Sequence, residues 1–316
     1  MLYSPEPMHI PDGFLSVPVA ILLWIVSAIV IGYALRRVST ELDERKVPLM
    51  GVLAAAIFAG QMLNFTVVGG TSGHLMGAAI ATILLGPWAA VLVMTTVVSV
   101  QALIFQDGGL LALGANIFNM GVIGVAVSYA VYRTVRALAP QRKWSIFVGG
   151  FLAAWLAIEI AALATALELA ISGTTPANIA IPAMGGIHAL IGIGEALITV
   201  GVLAFVYAVR PDLLVGGDVK TGKSSLVWVI GLVIALALAV ASPLASAYPD
   251  GLEWVAEQQG FLEVARGSVY QIIPDYVLPG VSNQALATIL AGILGTLLVF
   301  GIALLIARSR SKQRTT

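Results

Sequence analysis

Cysteine is absent from this sequence and charged residues are scarce. Of 316 residues, 16 are Lys or Arg and 16 are Asp or Glu, so the formal net charge is zero and charged residues make up 10% of the chain. The lack of cysteine excludes thiolate metal sites, iron–sulfur clusters and disulfides. A chain without a basic excess is not expected to have nucleic acid as a partner.

Hydrophobic residues, in contrast, make up 59% of the chain. Soluble domains average about 45–50% apolar and about 25% charged residues, and a globular fold could not bury the excess found here. Most of this surface must therefore face lipid, which indicates a membrane protein.

Nine apolar runs are candidates for transmembrane helices, because a helix needs about 20 residues to cross a bilayer. We therefore predict an all-α polytopic membrane protein with about nine transmembrane helices, a seven-helix bundle followed by a two-helix module. The third run is short, and Gly86-Pro87 predicts a tight turn after it. The runs cover about 14–35, 49–66, 74–86, 87–106, 112–135, 144–171, 181–209, 225–243 and 285–307.

Basic residues predict the orientation. If nine helices alternate, the Lys- and Arg-rich loops all fall on one side, which the positive-inside rule makes cytoplasmic. The chain is then a multi-pass plasma (cell) membrane protein with its N-terminus outside and its C-terminus in the cytoplasm. Only Arg266 falls on the opposite side; the residues on the cytoplasmic side are Arg36, Arg37, Arg45, Lys46, Arg133, Arg136, Arg142, Lys143, Arg210, Lys220, Lys223, Arg308, Arg310, Lys312 and Arg314.

The main chemical signal lies in Met8-His9-Ile10-Pro11-Asp12-Gly13-Phe14. If Met8 began the chain, its α-amine, the His9 main-chain nitrogen and the His9 imidazole could close fused chelate rings on one metal ion. A second imidazole would complete a plane of four nitrogens, which suits Ni(II) or Cu(II). Pro-Asp-Gly predicts a turn in which the Asp side chain bonds its own main chain. An ordinary surface histidine is the alternative.

Seven residues precede Met8 in this sequence, so its nitrogen belongs to a peptide bond. Residues 1–7 have neither the basic residues nor the apolar core of a signal peptide. We interpret them as an extension that arises from a misassigned start or is removed.

His74 is the candidate for the second imidazole. It follows Gly69-Gly70-Thr71-Ser72-Gly73 at the predicted outer mouth of the third helix. His188, on the seventh helix, could ligate, could orient a ligand or could be a structural histidine. We expect polar side chains near the outer halves of the helices to fix the loop around His74. The predicted metal ligands are thus Met8, His9 and His74, with possible support from His188, Asn64, Ser72 and Asn116.

Three acids, Glu159, Glu168 and Glu195, lie within apolar runs. Intramembrane acids are costly and are functional candidates by default. They could form a proton relay or could be protonated groups that join helices. A relay would suit an autonomous proton-coupled secondary divalent-cation transporter, which is the alternative function.

Two motifs bear on enzymatic activity. Gly217-Asp218-Val219-Lys220-Thr221-Gly222-Lys223-Ser224 fits the P-loop pattern, but a short linker between two membrane helices has no room for the required sheet. The pattern is therefore interpreted as fortuitous. No His-Glu-x-x-His pattern occurs, and no side chain is an obvious general base, so we predict neither an enzyme nor a catalytic cofactor.

These stretches together resemble the CbiM/NikM family, the substrate-capture membrane subunits of cobalt/nickel energy-coupling-factor (ECF) transporters of the ABC type. The resemblance covers residues 8–209 and is carried by Met8 to Phe14 and by the stretches 64–77, 112–120 and 188–199. Residues 225–316 resemble the small CbiN/NikN accessory subunit with its Pro-Asp-Gly-Leu-Glu (PDGLE) signature, here residues 249–253. In this signature Asp250 also predicts a helix N-cap.

The resemblance implies a fusion protein with a metal-capture domain (8–209), a cytoplasmic linker (210–224) and a two-helix module (225–316) with an outer loop, 244–284. It also implies that Co²⁺ or Ni²⁺ is the transported ligand, held outside the cell by Met8, His9 and His74. The expected partners are a membrane coupling subunit and cytoplasmic ATPase subunits that hydrolyse ATP. For cobalt, such uptake serves cobalamin biosynthesis. The choice between nickel and cobalt stays open.

Overall fold

A computed structural model describes residues 8–42, 46–215 and 224–311. This part of the chain is predominantly helical, which confirms the all-α prediction. Its apolar helices are α1 (Val17–Glu41), α2 (Val47–Gln61), α3 (Ala78–Leu85), α4 (Pro87–Phe105), α5 (Leu113–Leu138), α6 (Trp144–Ser172), α7 (Ala177–Val209), α8 (Ser224–Ala241) and, after the polar helix α9 (Gly251–Gln259), α10 (Gln284–Ser311).

Each of the nine predicted apolar runs overlaps one of these helices. Six of the helices, α1, α4, α5, α6, α7 and α10, are long and apolar enough to cross a membrane. Helix α2 has 15 residues and is shorter than a standard span. The agreement is close because hydrocarbon leaves the backbone few alternatives to a helix.

The third run differs from the prediction of a helix over its whole length. An antiparallel hairpin of β1 (Phe65–Val67) and β2 (Thr71–Gly73) precedes the run, and within the run α3 starts only at Ala78. With 8 residues, α3 is about 12 Å long, which is less than half of the hydrocarbon thickness. The third crossing, beyond His74, is therefore part extended chain and part helix.

A buried acid satisfies the extended part of this crossing. Glu195, near the middle of α7, accepts hydrogen bonds from the main-chain nitrogens of Met76 (2.7 Å) and Gly77 (3.0 Å). Gln61 donates to the Met76 carbonyl at 2.9 Å. Gly77 has a φ of 82°, and a Cβ there would lie 2.8 Å from Ile57, so glycine is required. Helix α3 also contacts the short helix Asp212–Val215, which follows α7.

Two short π-helical stretches flank the loop between α4 and α5. They are Gln101–Phe105 and Ile117–Ile123. Such π-bulges occur frequently at functional sites, because they turn side chains out of the regular helical register. Here they bring the loop 106–112 against residues 8–12.

The last two apolar helices pack together and against α2. Glycine permits the close approach, since a Cβ on Gly51 would lie 3.1 Å from the ring of Phe300, and one on Gly295 would lie 2.2 Å from Phe58. The segment between α8 and α10 leaves this interface and extends over the end of the bundle where α1 begins, since α9 contacts α7 and β2.

Several predicted features lie outside the described residues. They are the extension 1–7, the P-loop-like residues 217–223 and the basic residues Arg45, Lys220, Lys223, Lys312 and Arg314.

Candidate metal centre

Met8, His9, His74 and His188 line one cavity at the end of the bundle where α1 begins. The cavity has a volume of about 90 Å³, and Asn116 and Asp250 also line it. The sequence prediction placed the first three of these residues at one metal site, although His74 lies far from His9 along the chain. The structure brings them together.

The imidazoles of His9 and His74 are neighbours. Their ring centroids are 5.8 Å apart and the rings are tilted by 51°. Since imidazole nitrogens bind transition metals at about 2.0–2.1 Å, as they do zinc, small rotations of the two rings would allow them to share one ion. His9 is buried with 5% exposure, so an ion bound there would be largely shielded from water.

Asp107 is the partner of two of the nitrogens that were predicted to bind the ion, and the sequence analysis did not single it out. Its Oδ1 accepts a hydrogen bond from the Met8 nitrogen at 2.7 Å and lies 2.8 Å from Nδ1 of His9. Its Oδ2 accepts a hydrogen bond of 2.5 Å from the hydroxyl of Tyr276. Two nitrogens of the proposed chelate thus converge on one oxygen. The only sequence signal was an acid followed by two glycines just after an apolar run.

The pKa values of the two imidazoles are shifted in opposite directions. Burial disfavours protonation of His9, but the Asp107 carboxylate outweighs it and raises the pKa of His9 above its usual 6.5. Burial opposes ionisation of Asp107, yet His9 lowers the pKa of that carboxyl. Burial, followed by the proximity of His9, lowers the pKa of His74 to about 4. His74 is therefore neutral near pH 7, as a metal ligand must be, whereas His9 shares a proton with Asp107.

Asn116 holds the main chain next to His9. Its Oδ1 accepts from the Ile10 nitrogen at 3.0 Å, and its Nδ2 donates to the Ile10 carbonyl at 3.1 Å. Asn116 was predicted to support the loop around His74, and this part of the prediction is wrong because its amide pairs with the N-terminal segment instead.

Asp12 also has a different partner from the one expected. The turn chemistry predicted a bond to its own main chain, but its carboxylate accepts the nitrogens of Leu110, Leu111 and Ala112 at 2.9–3.1 Å. These nitrogens precede α5 and have no helical partner, so the carboxylate satisfies them as a cap does. The neighbouring Gly109 is required, since a Cβ there would lie 2.1 Å from the Asp12 side chain.

The remaining predicted support residues do different things. Ser72 binds the segment before α9, through its nitrogen to the Pro249 carbonyl (2.8 Å) and its hydroxyl to the Tyr248 carbonyl (2.8 Å). The Asn64 carbonyl accepts from the Ser246 nitrogen at 2.8 Å, and its side-chain oxygen is buried without a partner in the described part of the chain. Both residues thus connect the hairpin to the C-terminal module.

His188 faces the cavity from α7. Its Nδ1 lies 2.8 Å from the Met184 carbonyl, one helical turn earlier, which leaves Nε2 toward Gly251. A Cβ on Gly251 would lie 3.0 Å from this Nε2, so only glycine fits. His188 is therefore covered by the C-terminal module rather than directed at His9.

The PDGLE segment forms a roof over the cavity. Asp250 caps α9 by accepting from the Glu253 nitrogen at 2.7 Å, which confirms the predicted N-cap. Burial raises the pKa of its carboxyl to about 7. Farther along the same segment, the Arg266 nitrogen donates to the Asp12 carbonyl at 2.6 Å. The roof is thus attached to both sides of the cavity.

The three intramembrane acids have separate surroundings. Glu195 binds the third crossing, as described above. Glu168 accepts from the Asn119 amide at 2.8 Å, and one of its oxygens is buried without a partner among the described residues. Glu159 is partly exposed and lies near Gly185. Within the described chain, no hydrogen bond joins one acid to another.

Side chains alone do not form a complete metal site. Among the described residues, no group of three or more His, Asp or Glu side chains is arranged to hold an ion. An ion between His9 and His74 would therefore need main-chain nitrogens as further ligands, and the Met8 nitrogen already points to the position that Asp107 occupies.

Two family models match this chain. One, CbiM, is described as "Cobalt uptake substrate-specific transmembrane region" and matches residues 9–213. The other is described as "PDGLE domain" and matches residues 225–312.

Individual proteins agree with these matches. A "Putative fused nickel transport protein NikMN" of Archaeoglobus fulgidus is 38% identical over 304 residues, which cover 95% of this chain and 98% of that protein. A cobalt transport protein, CbiM, of Sorangium cellulosum is 34% identical over 217 residues, or 66% of this chain and 94% of that protein. A crystal structure of a truncated transition metal transporter is 37% identical, with a TM-score of 0.58 over 64% of this chain and 99% of the other.

Proposed function

This chain belongs to the CbiM family of cobalt-uptake transmembrane proteins, and on that premise we propose that it is the substrate-binding membrane component of an ECF transporter that imports Ni²⁺ or Co²⁺. Its family relatives are metal transport proteins, and its apolar helices make it a multi-pass membrane protein. We also propose that it captures the ion on the outer side of the membrane.

The proposed ligands are the Met8 nitrogen, the main-chain nitrogen and imidazole of His9, and the imidazole of His74. One observation carries this assignment: two nitrogens of the Met8-His9 pair converge on a single Asp107 oxygen beside His74. An ion that replaces this oxygen would meet nitrogens that are already aligned, so little ordering would be needed on binding.

The amine ligand depends on where the mature chain starts. In the full sequence the Met8 nitrogen is a peptide nitrogen, whereas a chain that begins at Met8 offers a free amine. We propose that the metal-binding form begins at Met8. N-terminal sequencing of metal-loaded protein tests this directly, and an intact Met1 on that protein would contradict it.

The proposed topology puts the cavity outside the cell, with the chain's C-terminus in the cytoplasm. Residues 8–209 form the capture domain, 210–224 the linker and 225–316 the accessory module. The coupling subunit and the cytoplasmic ATPases are separate chains in this proposal. The positive-inside rule supports it, since Arg37, Arg136 and Arg308 near the ends of α1, α5 and α10, and Arg210 after α7, would all lie on the side away from the cavity if the crossings alternate.

Metal titration of purified variants tests the ligands. His9→Ala and His74→Ala should each weaken Ni²⁺ binding by more than the roughly 10–100-fold that loss of an outer partner costs. His188→Ala is the internal comparison, because its Nε2 faces Gly251 and it should keep a stoichiometry of one ion per chain. Tight binding by both single variants would contradict the assignment.

The alternative is an autonomous proton-coupled transporter that uses Glu159, Glu168 and Glu195. The hydrogen bonds of Glu195 to the third crossing give it a structural task and do not support a relay. Reconstitution in vesicles distinguishes the two functions. Uptake by this chain alone that collapses with the proton gradient would favour the alternative, and uptake only with the ATPase partners would favour the ECF component.

A further inference from the structure

Tyr276 links the C-terminal module to the metal centre. It lies in the segment between α9 and α10 and is completely buried. Its ring stacks on that of Phe105 at a centroid distance of 4.8 Å and an angle of 15°, and its hydroxyl donates to Asp107. It is thus the residue of the accessory module that touches the carboxylate at the centre of the site.

The backbone that carries Tyr276 is unusual. Asp275 and Tyr276 have φ values of 52° and 56°, although neither is glycine. Residues with side chains rarely adopt this left-handed region, and such conformations persist only where their surroundings enforce them. The strained pair directs the Tyr276 side chain inward, between the π-helical end of α4 and the loop that contains Asp107.

Asp107 has three donors in this structure. The Met8 nitrogen and Nδ1 of His9 are hydrogen-bonded to one carboxylate oxygen, and the Tyr276 hydroxyl donates to the other. When the two nitrogens turn to an ion, the first oxygen loses both donors. Of these three donors, the Tyr276 hydroxyl is then the one that is still bonded to Asp107, and the Asp107 carboxylate is still buried.

We propose that Tyr276 is a positioning residue for metal capture, which acts by holding Asp107 while the Met8 and His9 nitrogens pass from this carboxylate to the ion. The proposal rests on the ligand set proposed above. Removal of the hydroxyl leaves Asp107 two donors in the metal-free protein but none of the three in the metal-bound protein. Because an unpaired buried carboxylate is more costly than one that is partly paired, the loss weakens metal binding.

The test compares two conservative variants in whichever N-terminal form of the full protein binds Ni²⁺. Tyr276→Phe removes the hydroxyl and keeps the stacked ring. Tyr270→Phe is the matched control, since Tyr270 belongs to the same module and donates to the Leu103 carbonyl instead. Tyr276→Phe should raise the Kd for Ni²⁺ about tenfold. The stoichiometry and the ligand-field absorption of the saturated protein should not change, whereas the Tm of the metal-free protein should fall slightly, because one buried hydrogen bond to Asp107 is lost. Tyr270→Phe should match the wild type.

A double-mutant cycle with Asp107→Ala shows whether Tyr276 acts through Asp107. In the Asp107→Ala background, Tyr276→Phe should have no further effect on the Kd. An equal effect in both backgrounds would overturn the proposal, as would an unchanged Kd for Tyr276→Phe alone. A changed ligand-field spectrum of the saturated protein would mean that the substitution alters the ligand set itself, and this too would overturn the proposal. If the wild type itself binds no Ni²⁺, the proposed function fails first and the role of Tyr276 falls with it.

Discussion

The two imidazoles of the cavity are held in different ways. His9 pairs with a buried carboxylate, and its segment is fixed by Asn116 and Asp12. Among the described residues, the one hydrogen-bond partner of the His74 imidazole is the carbonyl of Leu75, at 3.2 Å, and the chain after His74 is anchored by Glu195. One side of the site therefore carries a proton that an ion must displace, while the other offers a neutral ring on a firmly attached chain. We therefore expect protons to compete with the ion at His9, whereas the position of His74 depends on how firmly the chain around it is held.

The largest effect is expected on the His74 side. Glu195→Ala would leave the Met76 and Gly77 nitrogens unpaired in the interior of the bundle, at a cost of about 1–3 kcal/mol each in the free energy of unfolding. The variant should have a lower thermal unfolding temperature and should bind metal weakly. Glu195→Gln keeps one acceptor oxygen and is the control. A Glu195→Ala protein as stable as the wild type would show that another group anchors this crossing.

The pH dependence of binding tests the His9 side. An ion must displace the proton that His9 shares with Asp107, and Asp107 raises the pKa of His9 above 6.5. Affinity should therefore fall as the pH drops through that raised pKa, by at least about tenfold per pH unit below it. His74, whose pKa is lowered to about 4, should not contribute until the solution is far more acidic.

The Asp107→Asn variant sharpens this test. The amide removes the negative charge that raises the pKa of His9, so the loss of affinity should begin at a lower pH than in the wild type. Isothermal titration calorimetry of Ni²⁺ binding at a series of pH values between about 5 and 8 would detect the shift, since this range includes the reference pKa of histidine, about 6.5. An unchanged onset would mean that a group other than His9 controls the pH dependence.

The smallest effect is expected for Gln61→Leu. Gln61 donates one hydrogen bond to the Met76 carbonyl, and its own side-chain oxygen is buried without a partner among the described residues. Leucine removes the donor amide of Gln61 and also its buried, unpaired oxygen. The lost hydrogen bond is therefore offset, and the net change in the free energy of unfolding should be about 1 kcal/mol or less. Metal affinity should change by less than about threefold. A larger loss than in Glu195→Ala would reverse the assignment of the main anchor.

The sequence predicted the helices well and the hydrogen bonds poorly. Apolar runs located α1 to α8 and α10 because a helix is the ordinary way for a chain to cross lipid. The proximity of His9 and His74 followed from the resemblance and from the number of nitrogens that a planar site needs. The extended half of the third crossing was missed, since its residues are as apolar as those of a helix and only the distant Glu195 replaces the helical hydrogen bonds.

Asp107 and Tyr276 show the limit most clearly. Asp107 lies 99 residues from Met8 and 169 residues from Tyr276, both of which donate hydrogen bonds to it, so no local pattern points to these contacts. Asp12 appeared to be a turn residue because its neighbours are Pro11 and Gly13. Its real partners are free nitrogens at the start of α5, which only the folded bundle brings within reach.

The shortness of α3 has a further consequence. Helix α3 begins four residues after His74 and contacts the small helix Asp212–Val215. A helix of about 12 Å cannot cross the hydrocarbon by itself, so the main-chain groups of the non-helical residues before it must be paired within the protein. This crossing therefore depends on contacts with its neighbours, whereas the long helices satisfy their own main-chain hydrogen bonds.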